Sequence, residues 1–125
     1  MLPVVGLTRV EIVVTPVGRT RPLRHVDFLV DSGAVFSVLP AAVWSALRLR
    51  PKDTMTFSLA DGTSIERRLS EARFAYGGRD RVSPVILGQG KDEALLGAVT
   101  LETLGLVLNP LSREVLPMRL TLARR

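Results

Sequence analysis

The run Phe28-Leu29-Val30-Asp31-Ser32-Gly33-Ala34 constrains this chain more than any other stretch. Three apolar residues suited to a buried strand deliver a carboxylate straight into a Ser-Gly turn. An ionised Asp behind a buried run has to be hydrogen-bonded or paired, because an uncompensated charge is expensive to bury. One arrangement makes that placement useful, namely a second carboxylate close enough to share a proton. The two then titrate apart, one as a base and one as an acid, and together they activate a water. The plain alternative is a turn-forming Asp, since Asp and Ser both cap turns through local hydrogen bonds.

The remaining sequence reads as short strands separated by turn signals. Residues 7 to 14 are β-branched and partly alternating, and 24 to 30 return after Pro16-Val17-Gly18-Arg19, which predicts a hairpin ending at Asp31. Ala41 to Leu47 predict a helix with Val43, Trp44 and Leu47 on one face, stopped by Pro51. Met55 to Leu59 alternate as a strand, Asp61-Gly62 is a strong hairpin turn, and Ile65 to Leu69 form the return. A separate strand is expected over 71 to 76 before Gly77-Gly78, then another from Val82 to Leu87, broken by Pro84. A polar loop, Gly88 to Glu93, enters Leu95-Leu96-Gly97. Residues 98 to 104 predict a short amphipathic helix ending at Gly105. Leu106 to Leu108 and Glu114 to Leu116 bracket Asn109-Pro110 as a closing hairpin, and the tail from Met118 to Arg125 carries apolar Leu120 and Leu122 with no firm stop. The expectation is an all-β chain with one or two short helices.

Composition narrows the chemistry. At 125 residues, 46% of them hydrophobic, the chain forms one domain with a real core. Aromatic residues are few, so that core is aliphatic and β-branched, which suits a β-rich domain. The absence of cysteine excludes disulfides and thiolate metal sites, and a lone histidine, His25, excludes a His-rich metal cluster. No apolar stretch reaches the ~18 residues of a membrane span. The N-terminus, Met1 to Gly6, has neither a basic leader nor a long apolar region, so a cytoplasmic location with no membrane partner is expected. The net charge of +5 raises nucleic acid as a partner. Its source is arginine scattered along the chain, densest at Arg19, Arg21 and Arg24 in the first hairpin tip. No aromatics interleave there as a stacking platform requires, so no nucleic-acid partner is expected.

Three landmarks in order carry a family resemblance. Asp31-Ser32-Gly33-Ala34 resembles the Asp-(Ser/Thr)-Gly-(Ala/Thr) signature of aspartic proteases, and Val35 to Pro40 resemble the strand after the active-site turn in retropepsin-like domains. Ala94-Leu95-Leu96-Gly97 is similar to the second landmark, an apolar pair followed by Gly. Leu59-Ala60-Asp61-Gly62-Thr63 stands where the family carries its flap hairpin. The resemblance covers residues 8 to 117, the core of a single domain spanning 1 to 125, and is nearest the bacterial and cellular members. It implies a retropepsin-like closed β-barrel or sandwich with a flap. Because only one Asp-Ser-Gly is present, it also implies a symmetric homodimer giving one Asp31 from each subunit. The implied activity is aspartic endopeptidase cleavage of a polypeptide bound in extended form, with no cofactor and no metal.

The resemblance also distributes roles. Asp31 is the catalytic carboxylate, the Ser32 hydroxyl locks the two active-site loops together across the dimer, and Gly33 permits close backbone approach. Ala34 and the flap residues Ala60, Asp61, Gly62 and Thr63 contact substrate. Leu95, Leu96 and Gly97 pack beneath the catalytic turn. Asp27 lies ~13 Å of extended chain before Asp31, too far to be its dyad partner. It is expected to face solvent, as is His25, for which Asp27 is the one plausible acid partner. Trp44 is expected in the core or an interface. The chain departs from the retroviral pattern at Val35 and Phe36, where many retroviral enzymes carry acidic residues, and at its solitary flap Gly62. The rivals are a retropepsin-like module that binds or dimerises without catalysis, and a small β-barrel whose basic surface holds an acidic partner.

Overall fold

The computed structural model describes residues 8–118. Strands β1 (Arg9–Thr15) and β2 (Arg24–Val30) pair as the first hairpin, followed by β3 (Ser37–Leu39), helix α1 (Ala41–Ala46), β4 (Asp53–Ser58), β5 (Ser64–Tyr76) and β6 (Arg79–Leu87). The chain continues through β7 (Leu95–Leu96), helix α2 (Ala98–Thr103) and a closing hairpin of β8 (Leu106–Asn109) and β9 (Glu114–Pro117). The all-β expectation with two short helices holds. None of the described helices is long and apolar enough to cross a membrane.

Alternation decides which face each strand buries. Val10, Ile12 and Val14 of β1 and Val26, Phe28 and Val30 of β2 point inward, while Arg9, Glu11, His25 and Asp27 between them stay exposed. The inward set meets Leu39, Phe74, Val85, Leu87 and Leu96, with the rings of Phe28 and Phe74 at 5.8 Å. Each such side chain contributes about 1.5–3 kcal/mol by leaving water, so the fold rests on aliphatic burial.

The sheet runs β1-β2-β7-β3-β6-β5-β4, and a further pairing of β1 with β5 closes it on itself. The strand β5 is therefore shared. Its first half pairs with β4 as a hairpin arm, and Arg73 to Ala75 pair with β1 to close the barrel. This corrects the expectation of separate strands over 65–69 and 71–76: one continuous strand pairs with β4 and then β1 on one edge and with β6 on the other. Ser70 is buried in its middle, its hydroxyl donating to Arg50 O at 2.7 Å. Pro84 does not break β6 either. β3 joins β6 only from Val85 onward, so at Pro84 the strand has a partner on one side alone, where a missing N–H is tolerated.

Helix α1 ends before Pro51 is reached. Arg48 takes φ 57°, its N–H reaches Ser45 O at 3.0 Å, and the Leu49 N–H reaches Trp44 O at 3.0 Å. That left-handed cap returns Leu49 to the core. Half-buried Trp44 donates Nε1–H to Gly88 O at 2.9 Å and packs against the core, as expected of it. Leu120 and Leu122 lie outside the described residues.

Candidate active site

The turn at Asp31 is held from below by backbone. Strand β2 runs parallel to β7, with Leu29 opposite Leu95 and Val30 opposite Leu96. The Leu29 N–H donates to Ala94 O and the Asp31 N–H to Leu96 O, each at 3.0 Å. A parallel pair needs a long crossover between its strands, and here the whole segment from β3 to β6 supplies it. The landmarks at 31–34 and 94–97 are thus brought together, with Leu96 fully buried beneath the turn.

Above that base the turn closes on itself. Asp31 O accepts the Ala34 N–H at 3.1 Å, and Asp31 Oδ1 accepts the Gly33 N–H at 3.0 Å. Asp31, Ser32 and Gly33 are all exposed. The Gly33 bond is the only side-chain hydrogen bond Asp31 makes among the described residues, and the Ser32 hydroxyl makes none. The exposed carboxylate stands on a turn held by backbone hydrogen bonds. Beside it Val35, an apolar residue 59% exposed, extends the same face.

Gly97 explains its own identity. A Cβ there would sit 2.6 Å from the Phe36 carbonyl group and 3.0 Å from Ala34 O, so only glycine lets β7 approach the exit of the turn. Ala34 O also accepts the Ala98 N–H at 2.8 Å, and Val35 O accepts the Val99 N–H at 3.0 Å. The backbone of Ala34 is therefore committed to the start of α2.

A buried hydroxyl chain, not foreseen from the sequence, continues this support. The Gly97 N–H donates to Ser37 Oγ at 2.9 Å, Ser37 Oγ lies 2.5 Å from Thr100 Oγ1, and Thr100 Oγ1 lies 2.8 Å from Ser83 Oγ. Ser83 Oγ in turn donates to Pro84 O at 3.2 Å. All three side chains are buried, and one direction of donation from Gly97 to Pro84 satisfies every hydroxyl. The signal available in the sequence was a serine at an inward-facing position of both β3 and β6.

The flap candidate is the tip between β4 and β5. Leu59 N–H donates to Thr63 O at 2.7 Å, and Gly62 adopts φ 88°, a conformation that favours glycine. Asp61 Oδ1 accepts both the Thr63 hydroxyl at 2.6 Å and the Thr63 N–H at 3.0 Å, and these bonds, the hydroxyl first, hold its carboxyl below the ordinary range. Asp61 is thus engaged in the turn, and Ala60, Gly62 and Thr63 are exposed around it. The β4–β5 hairpin is linked to the segment after the Asp31 turn by Phe57 of β4, whose ring meets that of Phe36 edge-on at 6.4 Å. This contact was also unforeseen.

Asp27 is exposed and pairs with Arg9 at 3.4 Å. The expected partner for His25 is corrected: its Nδ1 lies 2.9 Å from Glu11 Oε1. In the register Val13 faces His25 and Glu11 faces Asp27, so Glu11 and His25 are diagonal neighbours on one face. Among the described residues no group of three or more His, Cys, Asp or Glu side chains converges to hold a metal. A surface hollow of about 830 Å³ lies beside Arg19, Arg21 and Arg73 at the opposite end of β2 from Asp31, and holds none of the residues selected above.

Comparison with known proteins agrees with this geometry. The aspartyl protease family model matches residues 18–100, which include the Asp-Ser-Gly turn, the β4–β5 tip and the Leu-Leu-Gly segment. Among solved structures, the EIAV protease in complex with the inhibitor HBY-793 superposes with a TM-score of 0.62 at 17% identity, covering 98% of this chain and 99% of that one. The simian foamy virus (mac) protease gives 0.54 at 21% identity, covering 75% of this chain and 91% of that one. No curated protein matches the sequence. With the retroviral proteases as its structural neighbours and the family model spanning most of its length, the chain belongs to the aspartyl protease family and has the retropepsin-like fold.

Proposed function

We propose that the chain is an aspartic endopeptidase that works as a symmetric homodimer, each subunit contributing one Asp31. The observation that carries this reading is an exposed carboxylate on a turn held by backbone bonds: Asp31 N bonded to Leu96 O, Asp31 O to Ala34 N, and Oδ1 to Gly33 N. Asp61 also caps its turn through Oδ1 alone, so what sets Asp31 apart is its seat on the Leu-Leu-Gly segment, with Oδ2 free of any bond among the described residues. The exposed Val35 beside it supports burial of this face against a second copy.

Two Asp31 carboxylates in contact do not both ionise, so the pair holds one proton. The ionised member takes a proton from a water lodged between them, and that water attacks the peptide carbonyl carbon. The protonated member donates to the carbonyl oxygen, giving a tetrahedral gem-diol. The dyad's proton then passes to the amide nitrogen while a gem-diol hydroxyl gives its proton to the other carboxylate. The C–N bond breaks, the acid and the amine are released, and the pair again holds one proton. The flap tip, Leu59 to Thr63, closes over an extended peptide and bonds its main chain. Ser32, free of any partner among the described residues, faces the same symmetric contact.

Replacement of Asp31 by Asn leaves folding and dimerisation intact and abolishes peptide cleavage. Mixing the variant with an equal amount of wild type and refolding them together gives about a quarter of the activity of wild type at the same total concentration, because only pairs with two Asp31 residues act. Retained cleavage by pure Asp31→Asn overturns the mechanism. A strict monomer at every concentration overturns the shared site and favours the non-catalytic binding module.

A further inference from the structure

The strands around the catalytic turn have a second face. Ser37, Leu39, Val85, Leu87 and Leu96 point into the core, and Val38, Ile86 and Leu95 alternate with them and point away. In register Val38 stands opposite both Ile86 and Leu95, forming a short aliphatic strip. Phe57 and Ile65, cross-strand partners in the flap hairpin, fold over this strip and leave it half-buried. Between strip and hairpin lies a hollow of about 180 Å³. Whole-ligand pockets run to ~300–1,000 Å³, so this space suits a single side chain. Leu95 directly precedes the residue whose carbonyl holds the Asp31 N–H, which sets the hollow beside the catalytic turn.

Three charged residues complete the lining: Arg67, Asp92 and Glu93. Arg67 Nε lies 3.4 Å from Asp92 Oδ2, and the same carboxylate oxygen accepts the Gln89 N–H at 2.8 Å. Those two charges answer each other and are fixed by the loop. Glu93 is exposed and forms neither an ion pair nor a side-chain hydrogen bond among the described residues. An apolar floor therefore opens onto a rim with one unanswered negative charge.

We infer that this hollow selects a substrate side chain with an apolar stem and a cationic end, arginine or lysine, with Glu93 as the specificity-determining residue. The inference rests on the endopeptidase reading. Lysine and arginine lay their methylenes along apolar surface while keeping the charged head in water, which matches this floor and rim. A glutamate side chain at the same substrate position meets Glu93 as a like charge. Neutral glutamine, of similar size, lies between. The rim is wet, so the charge effect is that of a partly exposed pair and weakens as salt is raised.

The test uses peptides identical except at one position, occupied by Arg, Lys, Gln or Glu, with each position flanking the cleaved bond varied in turn. kcat/KM is measured with wild type, and Kd for the same peptides is measured with Asp31→Asn. At one position Arg and Lys exceed Glu by about tenfold in both measures, the size expected when attraction is exchanged for repulsion at a partly screened site. Glu93→Gln removes most of that ratio and Glu93→Lys reverses it, and neither exposed substitution endangers the fold. The inference is overturned if the Arg-to-Glu ratio is the same in wild type and Glu93→Lys at every position. Failure of the endopeptidase reading shows itself differently, as absent turnover in wild type while the Kd ordering still responds to Glu93.

Discussion

The hydroxyl chain beneath the Asp31 turn makes a demanding prediction at Thr100. Its side chain is fully buried, 2.5 Å from Ser37 Oγ and 2.8 Å from Ser83 Oγ. Valine has nearly the same shape, so Thr100→Val opens no cavity and tests polarity alone. With donation running from Gly97 N–H to Pro84 O, the substitution leaves the Ser37 hydroxyl proton with no acceptor and Ser83 Oγ with no donor. The Gly97 N–H and the Ser83 hydroxyl proton keep their partners. One stranded buried donor costs about 1–3 kcal/mol, which places the expected loss near 2 kcal/mol. Ser37→Ala should cost at least as much, because it strands the Gly97 backbone N–H itself.

The assay is urea unfolding at fixed protomer concentration, since association adds to apparent stability. With a slope of about 1–3 kcal/mol per molar urea, a loss near 2 kcal/mol lowers the midpoint by roughly 1 M. The double variant Ser37→Ala/Thr100→Val should fall short of the sum of the single losses, because both interrupt one chain. A Thr100→Val protein as stable as wild type would refute the reasoning. It would mean that the three hydroxyls contribute nothing beyond what apolar contact supplies.

Other consequences follow from the site's frame. Gly97→Ala forces a methyl group into the Phe36 carbonyl, so the variant should lose cleavage and several kcal/mol of stability, read by the same unfolding assay. Phe57→Leu removes an edge-on aromatic contact worth about 0.5–1.5 kcal/mol. It should speed hydrogen exchange at Leu59 and Gly62, whose N–H groups close the flap tip, while exchange at Phe74 stays slow. The Asp61 carboxyl is held below its ordinary value by Thr63, so its contribution to the tip is complete above the unfolded value of ~3.9 and is lost as pH falls through the depressed folded value. Acid titration followed at the Thr63 amide should show this low-pH transition, and Asp61→Asn should abolish it. An unchanged Thr63 titration in the variant would assign the transition elsewhere.

The parts of this molecule legible in sequence are those where one residue type answers one local demand. Inward alternation in β1 and β2 announced the strands, and Asp61-Gly62 announced a tip that Gly62 makes with φ 88°. The pairing of the Asp-Ser-Gly and Leu-Leu-Gly segments came from family resemblance. The structure supplies its physical reason in the close approach of Gly97 to Phe36. What escaped notice depends on partners distant along the chain. Ser37 and Thr100 are 63 residues apart and Ser83 and Thr100 are 17 apart, and each is an ordinary residue within its own segment. Glu11 and His25 meet because the hairpin register sets them diagonally, which neither strand specifies alone. The unbroken course of β5 past Ser70 follows from having β4 at one end and β1 at the other.

The same distinction separates what builds the site from what uses it. Nearly every bond that fixes the Asp31 turn is a backbone bond: Leu29 to Ala94, Asp31 to Leu96, Ala34 to Asp31, Ala98 to Ala34 and Val99 to Val35. Side chains enter that frame only as the buried hydroxyls and the Asp31 carboxylate. Backbone bonds tolerate side-chain replacement wherever no atom is forced into contact, so identities at Val35, Phe36 and Val99 can drift while the frame persists. That explains how a chain 17–21% identical to two viral proteases keeps their fold. Apart from the buried core side chains Phe28, Leu39 and Leu96, it also predicts where substitution is least tolerated: at Gly97, where the frame leaves no room for a side chain, and at Ser37, the side chain that receives a frame N–H. Scanning positions 28–39 and 94–101 with alanine or glycine should therefore leave those two far more damaging to folding than Asp31 itself. If Asp31→Ala were the variant that failed to fold, the carboxylate would be a structural member of the turn, and the division between frame and chemistry would not hold.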